Sequence, residues 1–541
     1  MHGAGIESSK RAATVASQGL SGKYRLNQGF VEETTVKATL LPAALCLGLA
    51  GLGTAAHGGE ISSIVIDTDR SVNCLTPETI AADVCKGCKT DQEKAVALYD
   101  YLIRTTYMAY SADQPREMIG GRLRRLEQPM KIINVYGAAG CGRQAIVFCT
   151  VAKAAGIPGR LFDPDFAHTS CELQWDGKWH WLDVWLPAYF MDEKGGIYSY
   201  SELLEDKSRV TKAIESGRIP DNYMYYPKED LKSIMAAKKM KSWGDGAVKV
   251  AYRENLKLRP GESCTWLWDN VGKWYSPGEK FPGGPAFKFT RDKHCKKAFP
   301  HWEPYKKLIK DGCHKWSDVY YRYYGNALCV TAPPLTRRAL DDLGAEVRGL
   351  TFAQGGLRGD GGSLEIGFEL PYVIADTEID GAGKGSLSFE YSLDGGKTWL
   401  AGKKLAAEGT WTTFSLGKPN AMEHPADSTT GKYGYRLRVT LSGGATLSSL
   451  KVTNTTMLNF YSRPWLEPGD NNVTVAAEGA EALAATPLEI TWQWVENWQD
   501  GGGQAKSYTH RVDKSGSKST ISVAGSKRPK MKSVTIACPA R

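Results

Sequence analysis

The dipeptide Asp176-Gly177, set between two aromatic-rich stretches, constrains folding more tightly than any other feature of this chain. Asp-Gly suits a two-residue type I′ turn, in which both central residues must take positive φ. A β-hairpin is therefore expected over residues 168–185. If Trp175 faces Lys178, then Ser170 faces Asp183 and His168 faces Trp185. Side chains alternate faces along a strand, so His168, Ser170, Glu172, Trp179, Trp181, Asp183 and Trp185 share one face. Asp183 then lies one diagonal step from His168, a separation of about 7 Å that an imidazole and a carboxylate can span. Cys171 and His180 go to the opposite face, which excludes His180 as the base unless a bulge intervenes.

A cysteine upstream gives this pair a purpose. Cys141 stands in Asn134-Val-Tyr-Gly-Ala-Ala-Gly-Cys141-Gly-Arg-Gln-Ala, at the start of a helix expected from about Cys141 to Ala155. Ala145, Phe148, Cys149 and Ala152 form its apolar stripe, and Gly156-Ile-Pro158 ends it. A thiol attacks only as its thiolate, and a helix N-terminus favours that charge. His168 would take the thiol proton and Asp183 would fix the imidazole, which makes a Cys-His-Asp triad of Cys141, His168 and Asp183. The backbone N–H of Cys141 supplies one oxyanion donor, with Tyr107, Asn134 and Tyr136 as candidates for the second. Taken alone, Cys141 would read as a buried or disulfide-bonded cysteine; His168 and Asp183 in register reverse that.

These residues carry a resemblance. From the Thr90 helix to about Leu204 the chain is similar to the transglutaminase-like superfamily, a branch of the papain-like thiol enzymes. The matching motifs are Tyr136-Gly-Ala-Ala-Gly-Cys141-Gly-Arg-Gln-Ala, Ala154-Ala-Gly-Ile-Pro-Gly-Arg160, and His168-x3-Glu172 followed by Asp176-Gly-Lys-Trp-His-Trp-Leu-Asp183. The resemblance implies a thioester intermediate, with nucleophile, base and orienting acid on Cys141, His168 and Asp183. Two departures bear on the substrate groove: the 27-residue step from Cys141 to His168 is short, and Thr169 stands where the family often has an aromatic or apolar residue.

At 541 residues the chain exceeds one ordinary core. A helix is expected from Thr90, where Thr90-Asp-Gln-Glu93 has the capping-box form and Ala95, Leu98, Tyr99 and Leu102 recur on one face. Residues 200–240 read as helical and charged, and Val248–Leu258 as the start of a strand-and-turn region reaching about 335. Beyond Leu343 the pattern alternates: Leu364, Ile366, Phe368, Leu370; Leu387, Phe389, Tyr391; and Tyr433 to Leu441 at every second residue. The fold class is therefore multidomain α+β, a transglutaminase-like α+β domain followed by all-β sandwich domains. The divisions are 1–56 leader and signal, 57–240 catalytic domain, 241–340 β-rich connection, 341–460 sandwich, and 461–541 a small β module.

The apolar run Thr39–Gly53, followed by the small residues Thr54-Ala55-Ala56, reads as a secretory signal. Its long polar leader suggests translation starting near Val36, and a retained anchor is the alternative. Removing the signal takes Cys46 and leaves 11 of 12 cysteines, which fits five disulfides and one free thiol in a secreted, periplasmic or cell-surface protein with no membrane span once mature. Cys85-Lys-Gly-Cys88 reads as a structural disulfide. His294-Cys295 and Cys313-His314 could make a metal site, but pairing of Cys295 and Cys313 with each other or with Cys264 or Cys329 is the simpler reading. The thiol chemistry needs no metal or other cofactor. A net charge of +9, scattered except around Lys527–Lys532, gives no nucleic-acid footprint.

Ser392-Leu-Asp-Gly-Gly-Lys-Thr-Trp399 resembles an Asp-box, yet it occurs once, so Asp394 should brace a tight hairpin. Trp411, Trp492, Trp494 and Trp498 could stack on sugars, but core packing is the default. Two functions follow. One is an exported thiol enzyme that hydrolyses a protein or peptide amide, or transfers its acyl group, with the sandwiches on a cell-wall or polysaccharide ligand. The other is a non-catalytic exported binding or scaffold protein.

Overall fold

The computed structural model describes residues 59–541 except 109–113, 166–167, 221–235, 270, 276–325, 421–423 and 499–502. The leader, the signal run and the His294-Cys295 and Cys313-His314 pairs lie outside the described residues.

Around the expected site, local sequence sets local structure closely. The Asp91–Thr105 helix is capped by Thr90, whose hydroxyl accepts from the Glu93 N–H at 3.1 Å. The reciprocal arm is shifted by one residue, because the Glu93 carboxylate accepts from the Lys89 N–H at 2.6 Å rather than from Thr90. Ala95, Leu98, Tyr99 and Leu102 are all buried. The Cys141–Ala154 helix is buried continuously from Gln144 to Ala152, because it is enclosed by helices on one side and a sheet on the other. Gly156, at φ +86°, lets the chain turn back so that the Ile157 N–H reaches the Ala152 carbonyl at 2.9 Å.

That sheet has four antiparallel strands in the order Lys178–Trp181, Ser170–Trp175, Gly159–Pro164, Met240–Asp245. Asp176 and Gly177 take φ of +50° and +72°, as a type I′ turn requires. Trp175 pairs with Lys178, Gln174 with Trp179, Leu173 with His180 and Glu172 with Trp181, the register expected from the turn.

The remainder is strand-rich. A second, larger antiparallel sheet runs through the long strands Gly356–Glu369, Ile374–Ser392 and Gly434–Met457 and on to Lys530–Cys538 and Leu488–Glu496. Leu364, Ile366, Phe368, Leu387, Phe389, Tyr391, Leu437, Val439 and Leu441 fill one core. Trp492 and Trp494 are buried too. Asp394 accepts from the Thr398 N–H (2.9 Å) and hydroxyl (2.6 Å), bracing its hairpin. Around Lys527–Lys532, Lys532 pairs with Asp269 at 3.1 Å and Arg528 with Glu467, so the basic run is partly neutralised.

Three sequence expectations meet a different outcome. Val248–Leu258 forms no strand beyond an isolated bridge of Leu258 to Ile61, and side chains take three of its N–H groups, Val248 going to the Thr150 hydroxyl and Ala251 and Tyr252 to the Gln128 carboxamide. The first strand of that region is Glu262–Leu267. Pairing also crosses the expected divisions: Ser62–Thr68 pairs with Gly469–Glu478, and Glu262–Leu267 with Lys530–Cys538. Finally, every described cysteine is unbonded, Cys85 and Cys88 included. Cys264 and Cys329 face each other across a ladder with sulfurs 3.4 Å apart, beyond the covalent S–S length of about 2.05 Å.

The strand-rich region also braces the site-bearing domain. Asn459 Nδ2 donates to the carbonyls of Thr105 (2.9 Å) and Ile133 (2.6 Å), and the Tyr433 hydroxyl donates to Glu117 at 2.5 Å.

Candidate functional site

Three separate elements bring Cys141, His168 and Asp183 together. Cys141 is the first residue of its helix, behind Gly140, which offers no side-chain cap. The Cys141 and Gly142 N–H groups precede the first bonds of the helix, which Arg143 and Gln144 make to the Gly140 carbonyl at 3.0 and 2.9 Å. His168 lies two residues before the Ser170–Trp175 strand, and Asp183 two residues beyond the end of Lys178–Trp181. The hairpin pairing stops at Glu172 and Trp181, and beyond it side chains rather than the backbone ladder join the two segments.

His168 Nε2 and Asp183 Oδ2 are 2.6 Å apart. The same oxygen accepts from the Ser170 hydroxyl at 2.5 Å, and Asp183 Oδ1 accepts from the Leu186 N–H at 2.6 Å. Trp181 Nε1 donates to Ser170 at 2.7 Å, aligning the hydroxyl with the carboxylate. The Trp185 ring, 5.5 Å from that of His168, covers the pair. With Nε2 engaged by Asp183, His168 keeps Nδ1 for the thiol of Cys141, to which it is hydrogen-bonded.

The electrostatics agree with that chain of contacts. Burial pushes the Cys141 thiol up, but the hydrogen bond from His168, the imidazolium charge and the Thr169 N–H outweigh it, so the thiol titrates below its ordinary value. Burial pulls His168 down, while the Asp183 charge and the hydrogen bonds to Asp183 and Cys141 raise it to about 10. Asp183 is raised by burial and lowered more by His168, Leu186 and Ser170, so it lies below the usual carboxylate range. Both shifts run in the direction of a thiolate beside an imidazolium.

Thr169 sits against the first turn of the Cys141 helix, 3.3 Å from where a methyl on Gly142 would lie. Its hydroxyl donates to Asp163 at 2.7 Å, which ties the His168 loop to the next strand and gives this unexpected residue a role.

Sequence reasoning missed Gln114. Its carboxamide is buried against Gly140, where an added methyl would meet Cδ and Nε2 at 2.3 Å. That places the Gln114 carboxamide against the residue preceding Cys141. The candidates named from sequence are committed elsewhere: Asn134 Nδ2 donates to the Cys74 carbonyl at 2.8 Å and the Tyr136 hydroxyl to Glu117 at 3.0 Å. The side chain of Tyr107 lies outside the described residues. No periodicity or motif marks Gln114, because its relevance arises only when its loop packs over Gly140.

His180 is stacked on Trp175 (3.7 Å between centroids) and bonded to the Ile197 carbonyl at 2.6 Å, away from the site. Glu172, fully buried, receives Arg160 at 2.6 Å and the Tyr200 N–H at 2.7 Å. It holds the sheet rather than the reacting groups. Among the described residues no cluster of His, Cys, Asp and Glu is arranged to hold a metal ion, and no helix is long and apolar enough to cross a membrane.

Comparison with known proteins agrees with the geometry where it reaches. A search of curated proteins finds no match. Among solved structures, the pilus backbone RrgB of Streptococcus pneumoniae is 14% identical over 32% of this chain and 43% of its own, with a TM-score of 0.08, which carries no argument. The family model of the transglutaminase-like superfamily matches residues 78–195, the span that holds Cys141, His168 and Asp183. Residues 78–195 are thus a transglutaminase-like domain, and a strand-rich region follows it.

Proposed function

We propose that this protein is a thiol enzyme that acts on an amide carbonyl of a protein or peptide through a Cys141 thioester. The observation that carries the reading is the unbroken path from Cys141 through His168 to Asp183, with the last link at 2.6 Å. The Cys141 thiolate attacks the carbonyl carbon, and the oxyanion is met by the Cys141 N–H and the Gln114 carboxamide. His168 gives its proton to the departing amine as the C–N bond breaks, leaving the thioester. Water or an amine then attacks the thioester, His168 takes the proton of that acceptor, and the acyl product leaves as the thiolate re-forms. Asp183 keeps the imidazole oriented and its positive charge stabilised throughout. The apolar run Thr39–Gly53 supports export, and the strand-rich region would hold the enzyme on a cell-wall or polysaccharide ligand.

Incubation of wild type and Cys141→Ala with a glutamine-containing peptide library, with and without a primary amine, tests the reading. Cys141-dependent ammonia release without amine incorporation indicates hydrolysis, and ammonia release with amine incorporation indicates transfer. Identical product patterns from both proteins would remove the thioester mechanism.

A further inference from the structure

Next to the site stands a β-hairpin whose chemistry the reaction does not use. Arg116–Ile119 and Arg122–Arg125 pair antiparallel around Gly120-Gly121, at φ +59° and +74°. Both feet of the hairpin are fastened to residues flanking the nucleophile. On one side Gln114 lies against Gly140, and on the other Glu127 accepts from Arg143 at 2.9 Å. The Leu126 N–H donates to the Pro115 carbonyl at 3.1 Å and closes the base. Four residues of strand reach about 13 Å, so the whole arm lies within a short peptide's length of Cys141.

The exposed charges of the arm are all positive. Glu117, the only acid in the hairpin, is turned inward, where it receives Lys131 at 2.6 Å and the hydroxyls of Tyr136 and Tyr433. Arg122, Arg124 and Arg125 are exposed, and none forms an ion pair among the described residues. Arg124 stands directly opposite Glu117, and Arg125 opposite Arg116. At the tip Met118 (40%) and Ile119 (42%) are exposed, two of the four large hydrophobic side chains most open to solvent among the described residues. A folded arm with outward arginines, an apolar tip and its root at the nucleophile is built to hold something anionic with apolar contacts.

We infer that the Arg116–Arg125 hairpin is the substrate-docking arm of the site, and that the acyl donor is an acidic polypeptide whose carboxylates lie within a few residues of the scissile amide. This rests on the proposed function and adds the substrate class to it. The exposed arginines steer and hold the carboxylates, while Met118 and Ile119 cover neighbouring apolar side chains.

The test uses three peptides of equal length that carry the same chloroacetyl group, flanked by glutamates, serines or lysines. The rate of Cys141 alkylation is read by intact mass in the full-length protein. At about 0.02 M salt the glutamate peptide should react at least about tenfold faster than the serine peptide and the lysine peptide slowest, with the order collapsing at about 0.5 M salt. In the Arg122→Gln/Arg124→Gln/Arg125→Gln variant the ratio of glutamate to serine rates should fall toward one. Equal rates in wild type, or a glutamate preference that survives in the variant, overturns the inference. So does a flat peptide order accompanied by arginine-dependent binding to vesicles of acidic phospholipid, which would assign the arm to a membrane. If none of the peptides nor iodoacetamide labels Cys141, the proposed function fails separately. Anisotropy of a fluorescent glutamate peptide on the Cys141→Ala protein then still decides whether the arm binds acidic chains: arginine-dependent binding supports it and no binding overturns it.

Discussion

His168 and Asp183 form a 2.6 Å hydrogen-bonded ion pair that is almost closed to water, with relative exposures of 8% and 2%. A buried pair of this kind is not a surface ornament. Its two members hold each other charged, and Asp183 keeps that charge through two further donors, Ser170 and the Leu186 N–H.

The pair gives stability a defined pH window. His168 is raised from 6.5 to about 10, so its contribution is complete below about pH 6.5 and is lost as pH rises through about 10. Asp183 is lowered from 3.8, so its contribution is present above about pH 3.8 and is lost as pH falls through its lower folded value. Chemical denaturation of wild type and Asp183→Asn across this range should differ most between about pH 4 and pH 6.5, by about 3 kcal/mol or more, because the variant leaves His168 without its counter-charge. A difference that does not vary with pH would contradict the assignment. The same substitution should lower kcat by about 10³–10⁴-fold.

Cys141 alkylation should inflect below the ordinary thiol pH, since His168 and the Thr169 N–H outweigh burial. Replacing His168 by Ala removes the main lowering influence and leaves the burial, so the inflection should move upward. Iodoacetamide rates measured from about pH 5 to pH 10 report both values. An unchanged inflection in His168→Ala would show that the imidazole does not set the thiol.

Gln114→Ala should reduce kcat about 10²–10³-fold if its carboxamide meets the oxyanion. Gly140→Ala should mimic it. The backbone at Gly140 (φ −75°, ψ 170°) accepts alanine freely, so the nearest obstacle is the Gln114 side chain, 2.3 Å from the new methyl. A double variant should be no slower than Gln114→Ala alone, because the collision needs a partner. Additive losses would point to two unrelated defects.

Arg160→Ala should destabilise the fold by about 3 kcal/mol in urea titration, since it leaves the fully buried carboxylate of Glu172 with only the Tyr200 N–H. Arg160→Ala/Glu172→Leu should recover part of that loss. A double variant as unstable as the sum of both singles would show that packing on Trp179, 4.2 Å from the guanidinium, matters more than the charge.

Much of the site was legible because its determinants are short-range. The turn Asp176-Gly177 has one favoured geometry, and that geometry dictates which residues face one another from Glu172 to Trp181. The Thr90 cap and the Gly156 stop act within a few residues of the helices they bound. Strand alternation after Leu343 likewise reports a two-sided surface with one side buried. Val248–Leu256 shows the limit: its alternation looks like a strand, but Thr150 and Gln128, distant in sequence, compete for its N–H groups.

By itself, then, the sequence determined the hairpin register, the helix that starts at Cys141 and the shared face of His168, Ser170 and Asp183, because turn chemistry and side-chain periodicity act between near neighbours. Only the tertiary structure decided that Gln114 lies against Gly140, that Ser170 and Leu186 share Asp183 with His168, and that an arginine-lined hairpin is rooted beside Cys141. Those contacts join segments that no local preference orders relative to one another, and they form when burying a common core leaves a single arrangement that also satisfies its polar groups.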